Sequence, residues 1–301
     1  MNAYNVIIDL IEWIENHLTT KLSLDTVANK SGYSKWHLQR LFKKSTGCKL
    51  STYIRSRKLS MAAIELRMTR TPILDIALRY NFDSQQTFSR AFKNHFKKTP
   101  GVYRNKDEWD YSMLYPPYPK TAYLVLEPMI VSLPKFYLKG LEHRYICLPE
   151  NMNQFDMNVR TDFLLRHFRN IKTAPKYIYG LIDITPYTEN KRKLEINYTT
   201  AADTPEYTSN SPSESTIVLN EGSYIQFNYF GRMEEFQSFI LAVNQYHLPK
   251  LGVIRRKGVD IEQYYLQEQT TSPWKSNFLN CNYLIPCANA SSIEERIRKQ
   301  D

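Results

Sequence analysis

One stretch near the start of the chain occurs twice. Leu24-Asp25-Thr26-Val27-Ala28 followed by Ser34-Lys35-Trp36-His37-Leu38-Gln39-Arg40-Leu41-Phe42-Lys43 is echoed by Leu74-Asp75-Ile76-Ala77 followed by Ser84-Gln85-Gln86-Thr87-Phe88-Ser89-Arg90-Ala91-Phe92-Lys93. The first halves align at an offset of 49 residues and the second halves at 50, so the second copy carries one extra residue in its turn. Each copy pairs a short apolar-patterned segment with a turn, a serine and a second patterned segment, which is the layout of a helix-turn-helix. The repeat therefore restricts this region to an all-α domain. It also gives one chain two recognition helices, enough to read two stretches of DNA without a second copy.

The neighbouring segments fit that frame. Tyr4 to Leu18 places Val6, Ile7, Leu10, Ile11, Ile14 and Leu18 on one helical stripe. Ser23 and Ser34 stand where helix N-caps are expected, with Asp25 in a first turn, and Gly47 ends the helix that Ser34 begins. Ser51 to Thr69 reads as a longer helix whose span of about 28 Å is close to the ~34 Å between successive turns of a DNA groove. Thr71 and Pro72 open the second unit, with proline expected at the first helical position.

Charge is distributed as a nucleic-acid reader requires. The formal net charge of the 301 residues is +10, yet residues 1–106 carry +12 and residues 107–301 carry −2. A patch this basic attracts a polyanion by steering and counterion release. The four cysteines lack CxxC spacing and have no histidines placed to complete a zinc site, so reduced thiols and no metal or cofactor are expected. No apolar run is long enough to span a bilayer, and Asp9, Glu12 and Glu15 are unlike a signal peptide, so a soluble cytoplasmic protein with no membrane partner is expected.

After Arg104 the pattern changes. Lys106-Asp107-Glu108 and Tyr115-Pro116-Pro117-Tyr118-Pro119 break any helix, so a first domain over 1–106 and a Pro-rich linker over 107–120 are expected. Strand-like segments then follow at 123–127, 135–148, 176–183, 194–202, 215–220, 223–231, 260–266 and 278–286, interrupted by helical patterns at 155–170 and 233–246. The reading is a multidomain chain, an all-α double helix-turn-helix followed by an α+β domain over 121–287 built as a duplicated βαββ-type unit. A polar tail over 288–301 is expected to fray.

A helix that reads the major groove needs donors and acceptors on one face. Trp36, Gln39 and Arg40 provide that face in the first copy, and Gln85, Gln86, Thr87 and Arg90 in the second. Arginine grips guanine in bidentate fashion, glutamine suits adenine, and tryptophan offers apolar surface to a thymine methyl. Ser34, Lys35, Lys43, Ser84 and Lys93 are the candidates for phosphate. Because Trp36-Gln39-Arg40 becomes Gln86-Ser89-Arg90, the copies are expected to read different bases, and the DNA to bend to meet both.

The stretch from Ile7 to Arg104 resembles the DNA-binding domain of the AraC/XylS transcription activators. Ser34 to Arg40, Pro72 to Ala77 and Asp83 to Phe88 are similar to forms in the MarA/SoxS/Rob branch. Most of the family carries this domain last, whereas here it comes first, the arrangement of the Rob type, in which a GyrI-like domain follows. Arg255 to Tyr265 resembles that domain as well. The resemblance implies an activator that binds promoter DNA as a monomer at asymmetric sites and works with RNA polymerase. It also implies a sensor of apolar or cationic small molecules in the second half, where Tyr224, Phe227, Tyr229, Phe236, Phe239 and Tyr264 are the candidate lining and Glu262 a charged contact.

Two rivals remain at this level, a general architectural DNA binder and a ligand-processing enzyme. The chain has no GxSxG, HExxH, P-loop or dinucleotide fingerprint. Catalysis is therefore not expected.

Overall fold

The repeat folds as a run of short helices around one long one. In the computed structural model, which describes residues 3–118, 127–168, 175, 177–202, 215–265 and 277–299, these are α1 (Ala3–Asn16), α2 (Leu24–Ser31), α3 (Lys35–Thr46), α4 (Leu50–Met68), α5 (Ile73–Arg79), α6 (Gln85–Phe96) and α7 (Pro100–Arg104). Helix α4 buries residues on all its sides, including Tyr53, Ile54, Leu59, Ala62, Ala63 and Leu66. A helix apolar all round must be wrapped by others. Accordingly it packs on α3 on one side and on α5, α6 and α7 on the other.

The caps follow the expected chemistry. Ser23 Oγ accepts from the backbone N–H of Thr26, Ser34 Oγ from His37 and Ser84 Oγ from Thr87. Gly32 and Gly47 end α2 and α3 in the left-handed region, at φ 72° and 76°. Pro72 sits one position earlier than expected, as the N-cap of α5.

The chain divides into two units, Met1–Lys106 with Met113–Leu124, and Asp107–Ser112 with Val125–Asp301. The Pro-rich segment is therefore more than a tether. Tyr115 and Tyr118 pack on the core formed by Ile14, Phe42, Leu50 and Tyr53. Arg57 Nη1 donates to the carbonyl of Tyr115, Tyr115 N–H to Ser60 Oγ at 2.8 Å, and Tyr118 Oη to the carbonyl of Ser45 at 2.8 Å.

In the second unit, β1 (Trp109–Asp110) is followed by β2 (Met129–Leu133), β3 (Phe136–Cys147), a 3-10 turn (Pro149–Gln154), α8 (Met157–Phe168), β4 (Tyr177–Pro186), β5 (Leu194–Ala202), β6 (Ser215–Leu219) and β7 (Gly222–Arg232). A helical run then comprises α9 (Phe236–Ala242), a π turn (Val243–His247) and α10 (Leu248–Leu251). It leads to β8 (Ile254–Arg255), β9 (Asp260–Tyr265), β10 (Phe278–Pro286) and α11 (Ala290–Arg298). The main sheet has eight strands in the order β2-β7-β10-β9-β4-β5-β3-β6, and β1 pairs separately with β8. Its centre mirrors itself about the β9–β4 pair, because β3-α8-β4-β5 and β7-α9-β9-β10 are two copies of one βαββ unit.

Every strand of that sheet contributes to a single apolar cluster on one face, from Val131 and Leu133 at one edge to Ile217 and Leu219 at the other. Eight strands spaced about 4.8 Å apart would hold flat edges more than 30 Å from each other. The sheet must therefore curl around this cluster. The opposite face carries α8 and α9.

Two further sequence readings need adjustment, and a third falls almost wholly outside the described residues. Met129–Leu133 forms a strand that the patterning missed. The strand expected at 123–127 lies outside the described residues apart from Glu127. The supposed fraying tail contains α11, which buries Ile293 and through Arg296 Nη1 donates to the carbonyl of Leu251 at 3.0 Å. No described helix is long and apolar enough to cross a membrane.

Candidate DNA-reading helices and a buried acid

The first reader is shaped by which residues α3 must bury. Leu38 and Phe42 are fully buried, which turns Trp36, Gln39, Arg40 and Lys43 outward. Trp36 is 68% exposed, rare for a tryptophan in a folded domain. The Arg40 guanidinium lies 5.4 Å from the centre of its ring, so the two side chains stack along the helix and present one surface. Lys35 forms an ion pair with Asp25 of α2, so its charge is shared before any phosphate arrives. Ser34 is likewise engaged, as the cap.

Beside this face lies a groove of about 550 Å³, lined by Trp36, Gln39, Arg40 and Lys43 from α3 and by Lys49, Leu50 and Ser51 at the start of α4. Lys49 is the α4 N-cap position and makes no side-chain capping bond. The first N–H groups of a helix carry partial positive charge and suit a phosphate. Neither Lys49 nor Ser51 is among the phosphate candidates that the repeat yields, although their position just after Gly47, at a helix start, is the available signal.

The second reader repeats the plan with changes. Phe88, Ala91, Phe92 and Phe96 of α6 are buried, and Gln85, Gln86, Arg90 and Lys93 are exposed. Thr87 departs from this group. It is half-buried, and its hydroxyl lies 3.1 Å from Ser84 Oγ, within the cap. The turn holds Asn81 at φ 61°, matching Gly32, so the extra residue falls between Asn81 and the Ser84 cap, where Phe82 packs edge-on against Phe88 at 5.2 Å. The two readers belong to one body. Lys58 Nζ of α4 donates to the carbonyl of Thr20 at 3.0 Å, and Arg79 pairs with buried Glu65 at 2.8 Å.

In the second unit the seven candidate ligand residues are all buried, and they do not share a face. Tyr224 belongs to the curled-in cluster with Leu138 and Ile261. Strand alternation puts Phe227, Tyr229, Glu262 and Tyr264 on the helix side, where Phe236 and Phe239 pack against Tyr229 at 5.1 and 4.8 Å. Tyr224 therefore cannot line a site with the other six. Its ring instead stacks under the Arg256 guanidinium at 4.7 Å.

Glu262 is fully buried and fully engaged. Arg160, which is 1% exposed on α8, donates from Nε to Oε1 and Oε2 at 3.0 and 3.1 Å, and its Nη2 lies 2.9 Å from Oε1. The hydroxyls of Tyr198 and Tyr264 both donate to Oε2, the former at 3.0 Å. Gly180 faces Glu262 in the β4–β9 register, and a Cβ there would collide with the Tyr198 hydroxyl. Burial by itself would lower the guanidinium's pKa, and the Glu262 carboxylate reverses this, so Arg160 stays protonated with its pKa above the usual value. Burial, reinforced by that carboxylate, pushes Tyr198 and Tyr264 well up, keeping both as hydroxyl donors.

Comparison with known proteins places this arrangement. Residues 27–106 match a helix-turn-helix domain model, and residues 126–287 match the GyrI-like small molecule binding domain. The transcriptional regulator Rob of Salmonella typhimurium is 42% identical over 286 residues, covering 95% of this chain and 99% of its own. The chain belongs to the Rob family. The right origin-binding protein of Escherichia coli K12 is 41% identical over the same share of both chains, and the regulatory protein SoxS of that strain is 51% identical over 106 residues, 35% of this chain and 99% of SoxS. As a Rob-family member the chain is a DNA-binding transcription regulator with an AraC-type helix-turn-helix domain and a GyrI-like domain.

Proposed function

We propose that this regulator binds an asymmetric promoter site as a monomer, with α3 and α6 in successive major grooves, and acts there as an activator alongside RNA polymerase. The observation that carries this is the pair of unlike exposed faces, Trp36-Gln39-Arg40 and Gln86-Arg90, held in one body by α4. Trp36, Gln39, Arg40, Gln85, Gln86 and Arg90 read bases. Lys35, Lys43, Lys49 and Lys93 meet phosphate, and Ser34, Ser84 and Thr87 serve mainly by building the helix starts that approach it. Helix α4, about 28 Å long, is shorter than one groove repeat, so the duplex bends toward the protein.

The GyrI-like domain answers to a small molecule of apolar or cationic character, and the protein acts in the cytoplasm as a regulator, without turnover of that molecule. Hydroxyl-radical footprinting with stoichiometry from analytical ultracentrifugation tests the DNA reading. Two protected grooves one turn apart at one chain per duplex are expected. Protection of a single groove, or two chains per site, overturns it.

A further inference from the structure

The connection between β2 and β3 shows how far the main sheet is rolled. The two strands stand first and seventh in its order, which in a flat sheet sets them about 29 Å apart. Only Pro134 and Lys135 separate Leu133 from Phe136, a length of chain that spans at most about 11 Å. The roll encloses a lumen of about 210 Å³ on the helix-free face. Leu133, Pro134 and Phe136 form one wall. Tyr179 of β4, Ile261 and Gln263 of β9 and Leu284 of β10 form the other.

Close-packed interiors leave few voids larger than a water molecule, whereas eight-stranded barrels with room inside hold one small ligand there. The lumen exceeds the ~150 Å³ apolar cavity that accepts benzene, so one ring with a short substituent fits. Among the described residues no carboxylate, amine, guanidinium or imidazole lines it. A charged occupant would lose its water without gaining a counter-charge, which selects a neutral one. One polar group is built to meet that occupant. Asn282, 9% exposed, donates from Nδ2 to Gln263 Oε1 at 3.1 Å and to Tyr265 Oη at 2.7 Å. This orients the Gln263 amide, whose Nε2 donates a long bond of 3.4 Å to Tyr179 Oη among the described residues. An acceptor oxygen at ordinary hydrogen-bond distance is a better partner for that N–H.

We propose that this lumen binds one small uncharged organic molecule bearing an acceptor oxygen, with aryl ketones as the fitting class and Gln263 Nε2 donating to the oxygen. Alternation along β9 places Ile261 and Gln263 on the lumen side and Glu262, between them, on the helix side. Occupancy of the lumen thus bears on the strand that seats the Arg160–Glu262 pair. This consequence for regulation deepens the effector reading above and rests on it, whereas the site itself does not.

Nuclear Overhauser effects between acetophenone and the methyl groups of the full chain locate the ligand. Contacts with Leu133, Ile261 and Leu284 are expected, with a Kd of about 0.1–1 mM for a ligand of about nine non-hydrogen atoms. Benzoate and benzylammonium, similar in size but charged, are expected to bind at least about tenfold more weakly. Gln263→Leu keeps the volume and is expected to weaken acetophenone about five- to tenfold while leaving toluene unaffected, a difference that altered folding does not produce. Leu133→Trp fills the lumen and is expected to abolish the contacts with Ile261 and Leu284. Contacts instead with Leu164 and Ile240, buried on α8 and α9, put the ligand on the helix side and overturn the proposal. So do absence of binding, a charged analogue that binds as tightly, or equal losses of acetophenone and toluene in Gln263→Leu. Promoter occupancy measured with and without acetophenone separates the two readings: lumen contacts with unchanged occupancy leave the site standing and remove its regulatory role.

Discussion

The side-chain amide of Asn81 donates a hydrogen bond of 2.8 Å to the backbone carbonyl of Thr19. Asn81 closes the turn of the second helix-turn-helix in the left-handed region, and Thr19 lies in the loop that enters the first. Helix α4 is thus supplemented by a direct link between the two reading units. Asn81→Gly keeps the backbone conformation and deletes this bond together with the side chain's local 3.2 Å bond to the Arg79 carbonyl. The expected stability loss is about 0.5–1.5 kcal/mol. Competition binding should show weakened affinity for an intact pair of boxes and unchanged affinity for a duplex in which the second box is scrambled. Equal losses on both duplexes would mean that the bond does not set the angle between readers.

Arg40 and Lys43 lie on the same exposed face of α3 and are expected to fail differently. Arg40→Ala should cost about 1–3 kcal/mol on the preferred site and relax the choice of base at one position. Lys43→Ala should weaken all sequences alike and reduce the slope of log K against log salt by about one. Binding curves at several salt concentrations, on matched and single-mismatch duplexes, distinguish the two. The stacking of Arg40 on Trp36 adds a coupling, so Trp36→Ala should also diminish base discrimination at the Arg40 position.

What was legible in the sequence was what depends on local spacing. Leu38 and Phe42 mark the inner face of α3, and the residues left over are the readers. Met129–Leu133 was hidden because a five-residue edge strand with no strict alternation of burial carries little pattern. Helix α11 was hidden because Ile293 is its only buried residue, leaving the segment polar in composition. Glu262 was singled out, yet its partner was not. Arg160 lies 102 residues away, and nothing in the α8 pattern distinguishes a buried arginine from a solvated one. The split of Tyr224 from Phe227 followed from alternation, but which face holds the helices depends on how the whole sheet curls.

The segment after Lys106 predicts where the first domain can be cut. A fragment ending at Lys106 loses Tyr115 and Tyr118, which contribute apolar surface to the core and three of the hydrogen bonds described above. Compared with a fragment extended to Pro119, it is expected to be less stable by about 2–4 kcal/mol. Urea unfolding of the two fragments measures the difference, and equal midpoints would show that the tyrosines add nothing to the fold.

Acid should weaken the second unit as pH falls below the ordinary histidine range. Burial first, then His167 and Arg166 nearby, pushes the His143 imidazole down from 6.5 to about 4, while Asp162 opposes this. Burial first, then Lys250, brings His247 to about 4, and its Nε2 has no hydrogen-bond partner among the described residues. For both groups the folded pKa is below the unfolded one. Above pH 6.5 neither state binds the proton, and their contribution to stability is complete. Between pH 6.5 and 4 the unfolded chain binds protons that the folded domain refuses, so stability falls as pH falls. The slope per histidine is at most about 1.4 kcal/mol per pH unit near pH 5, and less for the partly exposed His143. His247→Leu should remove one histidine's share of the slope without touching the DNA-reading unit. Urea midpoints measured from pH 7.5 to 4.5 test this, and an unchanged slope in the variant would place the acid sensitivity elsewhere.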